Sequence, residues 1–180
     1  MIIVYILPED VKGGGDVFFK GIMVGIVIEN TRNYLIEPAT WRDIKSLDKL
    51  EKISFGEDAW PLLELLGVLA FPGVVHLKAI VDGEMVGFIA GDPRRNEKTG
   101  WILTLCVLPD WRRRGIADAL LSECEQKMGL PLVKLTVRRG NIPAINLYKK
   151  LGYIQTDIWS RYYHNGEDGL VLEKKLNAAG

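Results

Sequence analysis

Hydrophobic residues along the chain recur at two different spacings. Residues 101–108 form a nearly continuous apolar run with β-branched members, which is typical of a strand buried on both faces. Residues 116–128 repeat apolar side chains at helical spacing instead. Between the two lie Pro109 and a basic loop that contains Gly115. The pattern predicts a buried strand, a basic loop and an amphipathic helix in succession.

From residue 34 the same reasoning predicts the element order β-α-α-β-β-β-α-β-α-β-β. Thr40 is a suitable N-cap for the first helix, and Asp58 for the second. The apolar stripes of these two helices are predicted at Ile44, Leu47, Leu50 and Ile53, and at Leu62, Leu63, Leu66 and Leu69. The order predicts an α/β (α+β) domain with a mixed, mostly antiparallel central sheet flanked by helices.

The second half of the chain has clear turn signals. Residues 76–81 and 85–90 are predicted to form a hairpin, and residues 92–100 a polar connection into the central strand. A further strand at residues 132–138 precedes a helix with its apolar stripe at Ala144, Leu147, Tyr148 and Leu151. Residues 153–163 and 170–176 are predicted to be the last two strands.

Residues 1–33 are predicted to be an N-terminal extension, separate from a domain at residues 34–180. Two β-like runs, at residues 2–7 and 17–29, surround a glycine-rich turn, which is typical of a hairpin. Alternatively, an edge strand in this segment could pair with a second copy of the chain and form a homodimer.

Composition narrows the classes of partner. Lys plus Arg and Asp plus Glu both total 23, so no overall charge favours nucleic acid or an anionic membrane. Two cysteines and two histidines offer neither a disulfide framework nor metal-ligand spacing, and we expect no bound metal. No apolar run matches a membrane span or a signal peptide. We therefore expect a protein of the reducing cytoplasm.

The basic loop has the chemistry of a phosphate site. A helix start offers unpaired N–H groups and a positive dipole end, and arginine side chains bind phosphate oxygens. Neither the P-loop nor the dinucleotide fingerprint is present. Arg112-x-x-Gly115-x-Ala117 instead resembles the acetyl-CoA pyrophosphate loop of the GCN5-related N-acetyltransferase (GNAT) superfamily.

Two further motifs support this resemblance from residue 34 to residue 176. Asn141-x-x-Ala144-x-x-x-Tyr148-x-x-x-Gly152-Tyr153 is similar to a helix motif of the superfamily. Residues 161–169, RYYHNGEDG, resemble the tail hairpin of the RimI/Ard1 protein N-terminal acetyltransferases, and residues 55–60 resemble a loop of the same branch.

The resemblance implies a GNAT fold with splayed central strands that bind acetyl-CoA. It assigns pantetheine contacts to main-chain groups of Cys106, Val107 and Leu108. The pyrophosphate would contact the Arg112 side chain and the amides of the following residues, Arg113, Arg114, Gly115, Ile116 and Ala117. Asn141 would contact the pantetheine arm or cap its own helix. A core thiol suits Cys106 better than a nucleophile, because no His or Asp is present to activate it.

The implied reaction is direct attack of an amine on the thioester in a ternary complex. Tyr148 stands where the superfamily has the tyrosine that protonates the departing thiolate, although its place on the apolar stripe also suits a core residue. An amide near Val107 would stabilise the oxyanion.

The general base departs from the superfamily pattern, because Thr136 stands where Glu or His is usual. Glu57 could act through water, or little base help is needed. At about pH 7 roughly a tenth of a peptide α-amine is neutral, against well under a thousandth of a lysine ε-amine. The missing base therefore favours an α-amine acceptor.

Peptide contacts are expected from Phe55, Glu57 and Thr136, and from Tyr162 and Tyr163, of which one should pack inward. Glu167 and Asp168 are expected to stabilise the turn. The sequence thus predicts acetyl transfer to protein or peptide N-termini. The alternatives are a small-amine or lysine acetyltransferase and a non-catalytic acyl-CoA-binding domain.

Overall fold

The computed structural model describes residues 33–176, apart from the side chain of Glu57. The hairpin predicted for residues 1–33 falls outside this range except for Asn33, and the division of the chain after residue 33 stays a prediction. The described part forms a seven-stranded sheet in the order β1-β2-β3-β4-β5-β7-β6. Neighbouring strands are antiparallel except β4 and β5, which run parallel. The predicted fold class and element order are confirmed.

The strands and helices have the following bounds. The strands are β1 (Leu35–Pro38), β2 (Val75–Val81), β3 (Glu84–Arg94), β4 (Thr99–Val107), β5 (Leu132–Arg138), β6 (Ile154–Trp159) and β7 (Gly169–Lys175). The helices are α1 (Ile44–Phe55), α2 (Leu62–Ala70), α3 (Ile116–Met128) and α4 (Ile142–Lys150). No helix within residues 33–176 has the length and apolar character needed to cross a bilayer.

Helices cover both faces of the sheet and form two hydrophobic cores. The larger core joins α3 and α4 to the sheet through residues such as Leu120, Ile145 and Leu135. The smaller core joins α1 and α2 to β3 and β4 through residues such as Leu47 and Phe88. One core therefore lies on each face of the sheet, and both include residues of the central strands β3 and β4.

The second helix differs from its prediction. Leu65 and Leu69 are buried, whereas Leu63 is 80% exposed. Pro61 occupies the N-cap position, and Asp58 instead pairs with Arg138. The predicted stripe was right at Leu69 but wrong at Leu62 and Leu63, because a short run rich in leucine has no unique helical phase until a sheet covers one side of it.

Two other boundaries also differ. Residues 92–94 were predicted to be loop, but they belong to β3 and pair with residues 99–101 of β4. Strand β6 ends at Trp159, so Tyr162 and Tyr163 lie in the following loop and not in a strand. Residues 92–94 are strand because they pair with β4. This tertiary pairing outweighs the low strand propensity of polar residues.

The central strands separate after a short paired segment. The β4–β5 register runs from Thr99↔Leu132 to Ile102↔Leu135 and stops there. Strand β4 continues to Val107 and β5 to Arg138, and a register shift in β3–β4 pairing falls at Ala90/Gly91, beside the point of separation. A β-bulge bends its strand away from a neighbour. The result is an opening between residues 103–107 and 136–138, as the predicted splay requires.

Candidate active site

The edge of β4 at the opening presents the main chain of Val107. The Leu108 amide donates to the Val86 carbonyl at 2.9 Å, and Cys106, two residues earlier, pairs with Phe88, so both amides are directed toward β3, whereas the Leu108 carbonyl accepts from the Trp111 amide at 2.9 Å. Val107 lies between them and directs its groups toward the opening. Of the three residues predicted to contact pantetheine through the main chain, only Val107 has that orientation. Alternate residues of a strand face opposite edges, so the Cys106 and Leu108 amides lie at the edge that β3 occupies, and the pantetheine contacts of all three residues stay predictions.

The basic loop forms a concave array of amides at the start of α3. Arg113 and Gly115 have φ values of 61° and 77°, both in the left-handed region. Within residues 33–176 the amides of residues 113–117 donate to no backbone carbonyl. A Cβ on Gly115 would meet only the Tyr34 hydroxyl, at 3.9 Å, so the space above the loop is open. Unpaired amides around an open space fit an anionic group such as a pyrophosphate.

Side chains around this loop hold it in shape. The Tyr34 hydroxyl donates to the Gly115 carbonyl at 3.2 Å, and the Arg112 Nε donates to the Val107 carbonyl at 3.1 Å. The Arg114 guanidinium lies 4.5 Å from the centre of the Trp111 ring. Arg112 was predicted to bind phosphate, and the structure shows that it also ties the loop to the end of β4. Ile116 is buried, whereas the amide of Ala117 remains in the open first turn.

Tyr148 on α4 reaches the opening from the face of the larger core. It is 8% exposed and packs edge-on against Tyr153, with ring centroids 5.7 Å apart. Among the tyrosines of residues 33–176, hydroxyl groups donate at Tyr34 and Tyr153, so the Tyr148 hydroxyl has no partner there. Burial, with Tyr163 and Cys106 nearby, raises the pKa of Tyr148 above its ordinary value of 10.0. The hydroxyl therefore stays protonated at neutral pH.

Polar residues of β5 line the opposite face. Leu135 and Val137 belong to the larger core, so Thr136 and Arg138 point to the side of α1 and α2. A Cβ on Gly169 would lie 2.7 Å from Thr136 Cγ2 and 3.1 Å from Tyr162 Cδ1. Glycine suits this position because the Thr136 and Tyr162 side chains both lie close to the β7 backbone there. Thr136 and Tyr162, both predicted to contact substrate, are thus brought together.

Arg138 joins two loops that flank the opening. Its guanidinium pairs with Asp58, which follows α1, and with Glu167 at 2.8 Å in the β6–β7 loop. The same group lies 4.1 Å from the centre of the Tyr163 ring. Glu167 also accepts a hydrogen bond from the Gly140 amide at 2.6 Å. The sequence analysis missed Arg138, although the alternation of polar residues along β5 is a signal that could have revealed it.

The charges of this cluster reinforce one another. Partial burial opposes the charge of Arg138, but its hydrogen bonds to Glu167 and Asp58 raise its pKa above its ordinary value. The Gly140 amide and then Arg138 lower the pKa of the Glu167 carboxyl. Burial and the neighbouring Tyr162 raise the pKa of Tyr163 to about 12, against the opposing effect of Arg138. Arg138 and Glu167 therefore keep their charges across the neutral range, and the prediction that Glu167 stabilises the turn fits its contacts.

The tyrosine pair divides as the sequence analysis expected. Tyr163 is half-buried beneath Arg138, whereas Tyr162 is 53% exposed. Their rings meet edge to face at 5.1 Å. Tyr163 is thus the inward residue, which places its ring toward Tyr148.

Glu51 is a buried carboxyl that the sequence analysis did not identify. Thr104 Oγ1 of β4 donates to its Oε1 at 2.9 Å, and its Oε2 has no partner within the described residues. Burial raises the pKa of Glu51, against the opposing effects of Thr104 and the Trp60 amide. Burial and then Glu51 raise the pKa of Cys106 well above its ordinary value. Cys106 is thus a protonated core thiol, as its position in the smaller core also indicates.

The remaining predicted residues have mixed outcomes. Asn141 Oδ1 accepts from the Ala144 amide at 3.2 Å and caps α4. Phe55 ends α1 and is 36% exposed beside the loop that contains Asp58. Glu57 lies in the same 3₁₀ turn as Asp58, but its side chain is outside the described part, so its role stays a prediction.

Comparison with known proteins agrees with this geometry. Residues 41–153 match the acetyltransferase (GNAT) family. An N-alpha-acetyltransferase of Sulfurisphaera tokodaii is 32% identical over 161 residues, which cover 81% of this chain and 95% of that protein. The N-terminal acetyltransferase A complex catalytic subunit NAA10 of Arabidopsis thaliana is 30% identical over 78% of this chain and 77% of its own length.

Solved structures show the same fold. Ard1 from Thermoplasma volcanium has a TM-score of 0.71 at 26% identity and covers 81% of this chain and 99% of its own. The ribosomal-protein-S18-alanine N-acetyltransferase from Escherichia coli has a TM-score of 0.74 at 22% identity and covers 82% and 96%. The chain belongs to the acetyltransferase (GNAT) family. It is an N-acetyltransferase that uses acetyl-CoA, and the predicted enzyme class is confirmed.

Proposed function

We propose that this protein transfers the acetyl group of acetyl-CoA to the α-amino group of protein or peptide N-termini. The observation that carries the proposal is the joining of the loops at Asp58 and Glu167 by Arg138, which lies over Tyr163, a close neighbour of Tyr148. An acceptor chain could then lie between the loops that contain Asp58 and Glu167, with Tyr148 as the proton donor. The relatives named N-alpha-acetyltransferase support the same acceptor class.

The donor side of the site is proposed to be the amide array of residues 113–117 with the main chain of Val107. Acetyl-CoA supplies an activated acetyl thioester. The array fits its pyrophosphate because its amides are unpaired among the described residues and Gly115 leaves the approach open. The Val107 amide, directed toward the opening, is assigned to the oxyanion of the tetrahedral intermediate.

Tyr148 is proposed as the general acid. A thiolate leaving group needs a proton, and an acid that remains protonated at neutral pH can supply it. Burial raises the pKa of Tyr148, which keeps the hydroxyl protonated at neutral pH but makes it a weaker acid than an ordinary tyrosine, so the assignment rests on its unpartnered hydroxyl and not on the shift. Because its hydroxyl has no partner among residues 33–176, the proton is not engaged elsewhere.

Two routes remain for removing the proton of the amine. Thr136 cannot accept a proton at neutral pH, so either Glu57 accepts it through water or the neutral fraction of an α-amine is sufficient. The Glu57→Gln variant distinguishes the two. If Glu57 is the base, the variant loses activity at about pH 7 and recovers as rising pH neutralises the amine. If no base is needed, the variant matches the wild type at every pH.

The acceptor is tested by measuring release of CoA from acetyl-CoA with one lysine-containing peptide in two forms, free and N-terminally blocked. Turnover on the free form alone is expected. Turnover on both forms would show lysine acetylation and contradict the proposal. Turnover on neither, with a free amino acid or a polyamine accepted instead, would move the acceptor to small amines.

A further inference from the structure

A row of aromatic rings continues outward from the acceptor side of the site. Beginning at Tyr163 beneath Arg138, successive ring centroids lie 5.1 Å apart to Tyr162, 5.2 Å to Trp159 and 5.7 Å to Trp101. The Arg94 guanidinium ends the row, 5.4 Å from the Trp101 ring centre. These residues come from β3, β4, β6 and the β6–β7 loop, so only the folded sheet brings them together.

The row is a built surface on the sheet face that α1 and α2 leave open. Gly169 of β7 admits the Tyr162 ring against the strand, since a Cβ there would lie 3.1 Å from Tyr162 Cδ1. The Trp159 indole N–H donates to Asp157 Oδ2 at 3.2 Å, which fixes the orientation of that ring. Tyr162 remains 53% exposed, and the two tryptophans are half-buried. Oriented, partly exposed rings offer apolar contact area at little entropic cost.

We propose that this row, the aromatic track of Tyr163, Tyr162, Trp159 and Trp101, binds the segment of the substrate chain that follows the acetylated residue. The inference rests on the proposed function, because it concerns the course of that chain beyond its α-amine. The substrate chain is the expected occupant because the track is continuous with the acceptor side of the site. Tyr163 lies at the opening, where the amine must enter, and the track leads from it without a break.

The dimensions of the track define the length of the bound segment. At roughly 3.3 Å per residue, its ring spacings match about four or five residues of extended chain. Two ion pairs lie beside it, Arg94 with Asp92 at 3.0 Å and Lys134 with Glu173 at 3.1 Å, and the Asp157 carboxylate accepts the Trp159 indole N–H at 3.2 Å. A nearly neutral aromatic surface binds backbone and apolar side chains and does not select one charge. The occupant is therefore an extended, mostly apolar peptide segment.

The test compares peptides that share one N-terminal sequence but differ in length. For the wild type, KM should fall by about 10-fold between a tripeptide and a peptide of about eight residues, with kcat nearly constant. Trp159→Ala and Trp101→Ala should abolish most of that fall while leaving kcat and KM for the tripeptide unchanged. The tripeptide activity shows in the same assay that each variant is folded, and Trp159→Phe should restore part of the length dependence.

Trp41→Ala is the matched control, since Trp41 is 65% exposed and has its own arginine, Arg42, 5.4 Å from the ring centre, on another surface. It should leave both peptides unaffected. The proposal is overturned if the wild type shows no length dependence, or if the track variants change KM equally for short and long peptides. Failure of the proposed function gives a different result, the absence of turnover on every peptide with a free N-terminus.

Discussion

The two sides of the opening between β4 and β5 are built in different ways. The donor side consists of neighbouring residues, with Val107 and the amide array of residues 113–117 in one short segment. The acceptor side brings Asp58, Arg138, Tyr163 and Glu167 together from three distant parts of the chain. A main-chain anion site needs only a local backbone shape, whereas a surface for a second chain needs side chains that converge. Variants should therefore separate the two sides cleanly.

Tyr148→Phe should have the largest effect, because Tyr148 lies where the two sides meet. Loss of the general acid is expected to lower kcat by about 100-fold or more, with the KM of both substrates nearly unchanged. Steady-state kinetics with a free-amine peptide measures this. Tyr153→Phe is the control, since Tyr153 packs against the same ring but donates to Glu125 in the core. If Tyr153→Phe lowered kcat as strongly, the acid role of Tyr148 would be contradicted.

Gly115→Val should damage the donor side alone. A β-branched residue at a φ of 77° is strained, and its side chain would enter the open space above the amides. The affinity for CoA should fall by about 10- to 100-fold in a calorimetric titration. Gly129→Val is the matched control, because Gly129 has a φ of 62° at the other end of α3. Equal loss of CoA affinity in both variants would indicate general unfolding and not a damaged phosphate site.

Arg138→Lys should damage the acceptor side alone. Lysine keeps the charge but cannot hold Asp58 and Glu167 at once with a planar fork. The KM for peptide should rise by about 10-fold, with CoA affinity unchanged. Arg139→Lys is the control, since the neighbouring arginine is 64% exposed and pairs only with Asp168, at 3.4 Å, among the described residues. A change in CoA affinity in the Arg138 variant would show that the two sides are not independent.

Glu51→Gln should have the smallest effect and act on stability. The pKa of Glu51 is raised above its ordinary 4.5, so the folded protein holds this proton more tightly than the unfolded chain. Stability is then lost as pH rises from about 4.5 through the raised folded pKa. Glutamine cannot titrate, so the stability of the variant relative to the wild type should increase as pH rises across this window. Denaturant unfolding at several pH values measures the difference, and parallel pH curves would contradict the assignment.

The sequence predicted the elements whose signals are local. Gly129 ends α3, and Asn141 caps α4, one of the two roles predicted for it, since each cap depends on residues within one helical turn. Thr40, predicted as the first N-cap, forms a capping box with Asp43 at the 3₁₀ turn that leads into α1. The leucine-rich α2 was misjudged because its buried side depends on the sheet it meets. The length of the β3–β4 ladder was predicted too short, because the pairing of residues 92–94 also depends on the neighbouring strand.

The sequence by itself determined the order of elements, the family and the glycine-containing loop at the start of α3, because these depend on spacing and backbone geometry within short segments. Only the tertiary structure decided which tyrosine of the pair faces inward, that Asp58 pairs with Arg138 and does not cap α2, and that Trp101 and Trp159 stack. Those contacts join residues far apart in the chain. Their geometry depends on strand register and on the separation of β4 from β5, which no local pattern specifies.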